Sequence, residues 1–181
     1  MKLGLINVSY NGPIFKLNEK CFIKEKENAG SGFKKVKLSY VIDGDTAVFF
    51  IDGKETKVRF LAIDTPEIRP VNKPYSLSAK EYTTYVLTNA NNIYLQTDSS
   101  VNLYDDTPSK RLLAWIWVDG ELLNYNLVKN GFAIIKYVDS KKLIYLNDLF
   151  KAEKYAINNN LRLYEGEKNV TNGWKFISNI W

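Results

Sequence analysis

From Lys35 onward apolar and polar residues alternate. Val36, Leu38 and Tyr40 exchange with Lys37 and Ser39, the period of a half-buried strand. Two further strands, Ala47 to Ile51 and Lys57 to Ile63, flank Asp52-Gly53. That pair suits a type I′ turn, whose two central residues must both accept positive φ. Closing the hairpin there sets Ile51 opposite Lys54 and Asp45 opposite Phe60. Pro66 biases Thr65 away from helix, so the chain turns sharply after the hairpin. Ile68 to Ser78, with Pro70 and Pro74, reads as a loop. Ser78 then caps a helix from Ala79 to about Asn89, with Glu81 in its first turn and Tyr82, Tyr85 and Val86 as its apolar stripe.

The second half repeats these signals. Ile93 to Thr97 is a short strand, Asp98 to Lys110 is polar and flexible, and Arg111 to Val118 is a strongly apolar strand turned by Asp119-Gly120. Leu122 to Asn130 reads as a short helix, with Leu123, Leu127 and Val128 inward and Gly131 as its C-cap. Phe132 to Val138 is a further strand. Lys142 to about Asn159 is an amphipathic helix on which Leu143, Leu146, Leu149, Phe150, Tyr155 and Ala156 recur at helical spacing. Many short strands with few helices predict an α+β fold: a small β-barrel with helices packed outside it. Residues 1–34 read as an N-terminal extension with turn signals at Asn11-Gly12-Pro13 and Gly30-Ser31-Gly32, and 165–181 as a C-terminal tail.

Composition narrows the chemistry. At 181 residues the chain fits one domain with appended segments. The longest apolar run, Leu112 to Val118, is far below the roughly 20 residues that a membrane helix needs. The segment MKLGLINVSYNG has no full apolar h-region or cleavage site, so no signal peptide is expected. Cys21 is the only cysteine, which excludes an intrachain disulfide, and histidine is absent. Catalysis must therefore use carboxylates, Lys, Arg, Tyr or a hard metal bound through oxygen. A net charge of +5 leans toward polyanionic partners.

Four acids bracket the hairpin, Asp43 and Asp45 before it and Asp64 and Glu67 after it. A single aspartate at a strand end is ordinarily a turn residue bonded to its own backbone. Two of them flanking one hairpin, with Arg59 inside a strand between, point to a site, because an arginine alternating with core positions needs an anion. Asp45 and Asp64 offer hard oxygen ligands for Ca2+ or Mg2+. Arg59 and Arg111 can each fork onto a phosphate, and Glu67 is the best available general base. In an ideal register Asp45 shares a face with Phe60 rather than with Arg59, so a bulge or end twist is needed to bring Asp45 and Arg59 together.

The segments V-I-D-G-D-T, R-F-L-A-I-D-T-P-E and K-R-L-L-A-W-I-W together resemble the signature of the staphylococcal nuclease (thermonuclease) family, over roughly Lys35 to Tyr164. The resemblance implies a five-stranded oligonucleotide-binding (OB-fold) barrel with three helices. It implies a Ca2+-dependent phosphodiesterase acting on single-stranded DNA and RNA, cutting the 5′ P–O bond to leave 3′-phosphate ends. By the same resemblance Asp45, Asp64 and the Thr65 carbonyl bind Ca2+, Glu67 activates water, and Arg59 and Arg111 stabilise the transition state. Tyr137 matches a nucleotide-contacting tyrosine. The resemblance favours an extracellular or cell-surface location; it implies no protein partner, and a monomer is expected. Ser109-Lys110 replaces the Tyr-Gly pair usual before the second arginine, and Asp139 replaces a second nucleotide-contacting tyrosine. The alternatives are a non-catalytic nucleic-acid- or peptide-binding module on the same barrel, and an interaction protein holding a structural Ca2+.

Overall fold

Asp52-Gly53 closes the central hairpin as its chemistry requires, with φ of 51° and 79°. In the computed structural model, which describes residues 33–70 and 73–165, strand β2 (Thr46–Ile51) pairs with β3 (Lys54–Phe60) in an unbroken ladder from Ile51↔Lys54 to Thr46↔Arg59. The Phe60 amide then donates to the Asp45 carbonyl at 2.9 Å, so the expected register holds. Strand β1 (Phe33–Asp43) begins within the segment read as an extension and pairs with β2 on one side and β5 (Ile93–Gln96) on the other. Strand β6 (Leu112–Val118) lies antiparallel to β5 and parallel to β3. The circuit β1-β2-β3-β6-β5-β1 is closed, which leaves the five strands without a free edge along the barrel. Three helices pack outside it: α1 (Ser76–Thr88), α2 (Leu123–Lys129) and α3 (Leu146–Asn158). Two-residue strands β4 (Ile63–Asp64) and β8 (Ile134–Ile135) pair with each other, and β7 (Glu121–Leu122) extends the sheet beside β6. The expected five-stranded OB-fold α+β barrel with three helices is present. The turn signals of the extension before Phe33 and the tail beyond Glu165 lie outside the described residues.

Local differences from the sequence reading have physical causes. Helix α1 begins at Ser76, not after Ser78, because Lys73 to Ser76 already forms a turn (Ser76 N–H to Lys73 carbonyl, 3.1 Å). Its N-cap is Tyr75 in the left-handed region, and the Ser78 hydroxyl donates to the Tyr75 carbonyl inside the first turn. Its buried face is Ser76, Ala79, Thr83 and Leu87, whereas Tyr85 is 61% exposed. Small residues are required there because the helix closes on Gly44, where an added Cβ would meet Thr65 and Ala79 within 2.9 Å. Thr83 donates to the Gly44 carbonyl at 2.6 Å. The strand expected over 132–138 shrinks to Ile134–Ile135, since Phe132 and Ala133 still bond to the Leu127 carbonyl and Tyr137 takes a φ of 56°. The stretch 98–110 is tied down rather than loose. Asp98 is buried and accepts from the Trp115 indole at 3.0 Å, the Ile144 amide at 2.9 Å and Ser100.

Barrel closure leaves a seam. The parallel ladder between β3 and β6 ends at Phe60↔Ala114, and beyond it the amide of Ile116 and the carbonyl of Leu61 have lost their strand partners. Buried backbone groups must be paired. Fully buried Asn124 on α2 supplies both, accepting from Ile116 N–H at 2.9 Å and donating to Leu61 at 3.0 Å. Replacing Asn124 by Leu orphans two buried groups and should lower stability by roughly 2–4 kcal/mol, read as a shift in the urea midpoint at unchanged slope. A loss below about 1 kcal/mol would remove Asn124 from this role.

Burial by itself would raise the Asp98 carboxyl, but the Ser100, Ile144 and Trp115 hydrogen bonds outweigh it and hold the group below the usual carboxylate range. A depressed folded value gives stability that is complete above the unfolded value of about 3.9 and is lost as pH falls through the folded value. Asp98→Asn should therefore be less stable than wild type near pH 7, with the deficit shrinking below about pH 3.9. Urea melts across pH would show it, and a pH-independent deficit would contradict it.

Candidate active site

The two ends of the hairpin meet through Asp45, which lies outside β2 in the Gly44-Asp45 turn. The β2–β3 ladder itself carries no bulge; the irregularities are in β1–β2, one of them between Val41 and Asp43, just before that turn. An end twist therefore brings the Asp45 carboxylate to Arg59. Arg59 is buried, its side chain only 10% exposed. Its Nη1 donates to Asp45 Oδ1, and its Nη2 to Asp64 Oδ1 at 2.8 Å and to the Ile63 carbonyl at 3.1 Å. Asp45, 1% exposed, also accepts from the Thr65 amide at 2.6 Å, the Thr65 hydroxyl at 3.0 Å and the Thr46 hydroxyl at 3.1 Å. The second oxygen of Asp64 takes Lys136 Nζ at 2.8 Å. Burial pulls the Lys136 ammonium down, but Asp64 and Tyr137 more than reverse this and hold it above its usual value. Burial pushes the Asp43 carboxyl up, against the Thr46 hydrogen bonds and the charges of Arg59 and Arg111.

A cleft of about 380 Å3 opens over this network. Arg59, Asp64, Glu67, Arg111 and Tyr137 all line it, so five of the seven residues singled out in the sequence share one wall system. Asp45 and Thr65 do not line it; they sit behind Arg59 and are buried. The arginines converge because β3 and β6 are parallel neighbours. Arg59 pairs with Leu113, and Arg111 stands two residues before Leu113, on the same side by strand alternation. Arg111 Nε donates to Asp105 Oδ2 at 2.6 Å and its amide to Oδ1 at 2.9 Å. Among the described residues neither terminal nitrogen of Arg111 has a partner, so both remain for a bidentate anion contact. Burial would raise Asp105, yet its bonds from Thr107 and Arg111 hold it below the ordinary carboxylate value. Tyr137 is 55% exposed, and its ring centroid lies 5.5 Å from the Arg59 guanidinium and 4.8 Å from Lys136 Nζ. Asp139 also lines the cleft, its carboxyl pushed up by burial and by neighbouring Asp106.

The sequence reading missed Asp105, Lys136 and Tyr104. Asp105-Asp106-Thr107-Pro108 carried a usable signal, since an Asp two residues before a Thr forms the side-chain-bonded turn seen here (Thr107 hydroxyl to Asp105, 2.7 Å). Lys136 had none, because it reaches Asp64 only through the pairing of β4 with β8. Asp45 and Asp64 fit a hard divalent cation in kind, being two carboxylates drawn within the span of one guanidinium. Among the described residues no third acidic side chain converges on them. Backbone carbonyl and water would have to complete the shell, and the cation would compete with Arg59 for both carboxylates.

Known proteins share this sequence pattern. The family model described as staphylococcal nuclease homologue matches residues 57–165. Endonuclease YncB of Bacillus subtilis (strain 168) is 32% identical over 142 residues, covering 76% of this chain and 64% of that protein. The SPbeta prophage-derived endonuclease YokF of the same organism is 32% identical over 141 residues, covering 75% and 46%. Thermonuclease of Staphylococcus intermedius is 34% identical over 134 residues, covering 69% and 73%. The chain thus spans less than two thirds of the length of the two Bacillus relatives. With a family model over more than half of its length, and a barrel whose paired arginines and carboxylates meet in one cleft, this protein belongs to the staphylococcal nuclease family.

Proposed function

We propose that this protein is a Ca2+-dependent nuclease that hydrolyses phosphodiester bonds in single-stranded DNA and RNA. The observation that carries the reading is the shared cleft in which Arg59, Arg111 and Glu67 face one space, with the fork of Arg111 held open by Asp105. A phosphodiester entering the cleft is anchored by the two Nη groups of Arg111. Glu67, exposed at the cleft wall, takes a proton from a water. The water oxygen bonds to phosphorus and the P–O5′ bond breaks, leaving a 3′-phosphate and a 5′-oxygen that takes a proton from solvent to become the 5′-hydroxyl. Negative charge growing on the phosphoryl oxygens is met by Arg111 and Arg59, fixed donors in a partly dehydrated site. Asp45, Asp64 and the Thr65 carbonyl would hold the calcium ion. When bound, it would supply Lewis-acid stabilisation and orientation of the phosphate. Arg59, which Asp45 and Asp64 hold at the cleft wall, would be the donor closest to an ion held by those carboxylates. The relatives' printed names, endonuclease and thermonuclease, support the same reading.

Cleavage of a fluorescent single-stranded DNA oligonucleotide, with Ca2+ or with chelator, tests it. Wild type should cut only with Ca2+ and leave 3′-phosphate ends. Glu67→Gln should lose about 10²–10⁴-fold in kcat while keeping the fold and the affinity for the oligonucleotide. Chelator-insensitive cleavage, or a fully active Glu67→Gln, contradicts the mechanism. Binding without any cleavage by wild type leaves the non-catalytic module in its place.

Asp105 acts through Arg111, so its removal should matter only while Arg111 is present. Asp105→Asn should lower kcat/KM about tenfold, the worth of one charge-assisted hydrogen bond of about 1.5 kcal/mol. In an Arg111→Ala background the same change should have no further effect. Additive losses in the double variant would show that Asp105 serves some other purpose.

A further inference from the structure

Two tyrosines line the cleft, and they stand in different relations to their surroundings. The ring of Tyr137 is already faced by the cations Arg59 and Lys136. Tyr104 is 46% exposed, and among the described residues its ring meets no other ring or cation and its hydroxyl makes no hydrogen bond. An exposed aromatic alone signifies little. Its position gives it meaning. Tyr104 forms an antiparallel bridge with Leu112. Two further backbone bonds flank the bridge, Leu113 N–H to the Leu103 carbonyl at 2.9 Å and Asp105 N–H to the Arg111 carbonyl at 3.0 Å. The backbone beneath the ring is therefore fixed to the barrel wall. The residue after Tyr104 is Asp105, which holds Arg111, and the residue before its bridge partner is Arg111 itself.

We propose that Tyr104 forms a nucleobase-stacking subsite of this cleft, one residue from the phosphate fork of Arg111. The inference rests on the phosphodiester reading above and deepens it by assigning a place for the base. Across an antiparallel pair, opposed Cα atoms are about 4.5–5.5 Å apart. Tyr104 and Arg111 also line the same cleft, so a phosphate held there by Arg111 leaves the base of its own or the adjoining nucleotide within reach of the Tyr104 ring. Every base has a π-face, so such a platform is tolerant of sequence. Stacking on it requires a base that has left its own helical stack, which favours single-stranded over duplex substrate. The ring has two χ angles to fix and a backbone already anchored, so little ordering opposes the contact.

The test measures binding first. Fluorescence anisotropy of labelled decathymidylate, and of an abasic decamer with the same phosphates, is recorded in Ca2+ on protein carrying Glu67→Gln, so that the oligonucleotide survives. Adding Tyr104→Ala should weaken decathymidylate binding about tenfold, within the range of one base–aromatic stack. Abasic binding should change less than twofold, and Tyr104→Phe should restore most of the affinity. Equal losses on both oligomers would mean a role in shape or charge, and no loss, or no measurable decathymidylate binding, would overturn the subsite. Circular dichroism and urea midpoints confirm that each variant is folded. Cleavage of decathymidylate by the unmodified protein reports separately on the nuclease reading. A base-dependent effect of Tyr104→Ala without any cleavage keeps the subsite and removes the enzyme.

Discussion

A guanidinium largely withdrawn from water cannot stand alone, and the arrangement around Arg59 follows from that constraint. An unpaired charge in the interior is several kcal/mol out of balance. Two segments answer it: the Gly44-Asp45 turn, on the far strand of the hairpin, brings Asp45, and the short strand β4 brings both Asp64 and the Ile63 carbonyl. The consequences spread outward. Asp45 can reach Arg59 only if the β1–β2 turn is tight, and the turn can be tight only because Gly44 lets Thr65 and Ala79 approach. Asp64 can stay only if β4 is pinned, which its pairing with β8 achieves, and that pairing delivers Lys136 and Tyr137 to the same site. Such a buried ionic cluster contributes little net stability compared with an apolar replacement. Its presence at the floor of a cleft is better explained by chemistry than by folding.

The two arginines of the cleft are held in opposite ways. Arg59 has its terminal nitrogens committed to Asp45, Asp64 and a carbonyl. Arg111 is gripped at Nε and at its own backbone amide by one carboxylate, which fixes its direction while leaving its fork open. One is poised to respond to whatever the carboxylates bind; the other is already set for an anion. Both positions derive from the parallel contact of β3 with β6, the step that also closes the barrel. Closure and function are in this sense the same event. The seam it leaves is sealed by Asn124, and the aromatic floor beneath it is fixed by polar anchors. Trp117 donates to Gln96 at 2.9 Å, Tyr145 to the same oxygen at 2.9 Å, and Trp115 to Asp98 at 3.0 Å. Large indoles fill the core only where their N–H groups find acceptors.

Much of this was legible in the chain. Period-two alternation marked the strands, Asp52-Gly53 fixed the hairpin register, and Gly131, with a φ of 71°, ended α2 as read. Local chemistry decides such features, because a turn or a strand face is set by residues a few positions apart. The acids and Arg59 could be singled out for the same reason, since they bracket one hairpin. Where the reading failed, the deciding neighbour was distant. Tyr85 matched a helical stripe by spacing, yet the face that packs is Ala79 and Thr83, because only small side chains fit against the Gly44 turn. Asp98 and Asp105 looked like loop polarity, whereas one anchors Trp115 and Ile144 and the other orients Arg111.

The sequence alone determined the barrel's strands, its helices, the family pattern and the identity of the charged groups, since each depends on periodicity, turn stereochemistry or residue type within a short window. Tertiary structure alone decided which of those groups face one another. Asp45 and Thr65 lie behind Arg59, Lys136 crosses to Asp64, and Tyr104 lines the same cleft as Arg111. These relations depend on strand ends twisting and on β3 meeting β6. The energies that fix them come from burying charge and pairing backbone groups across the closed barrel, and no stretch of the chain carries those energies by itself.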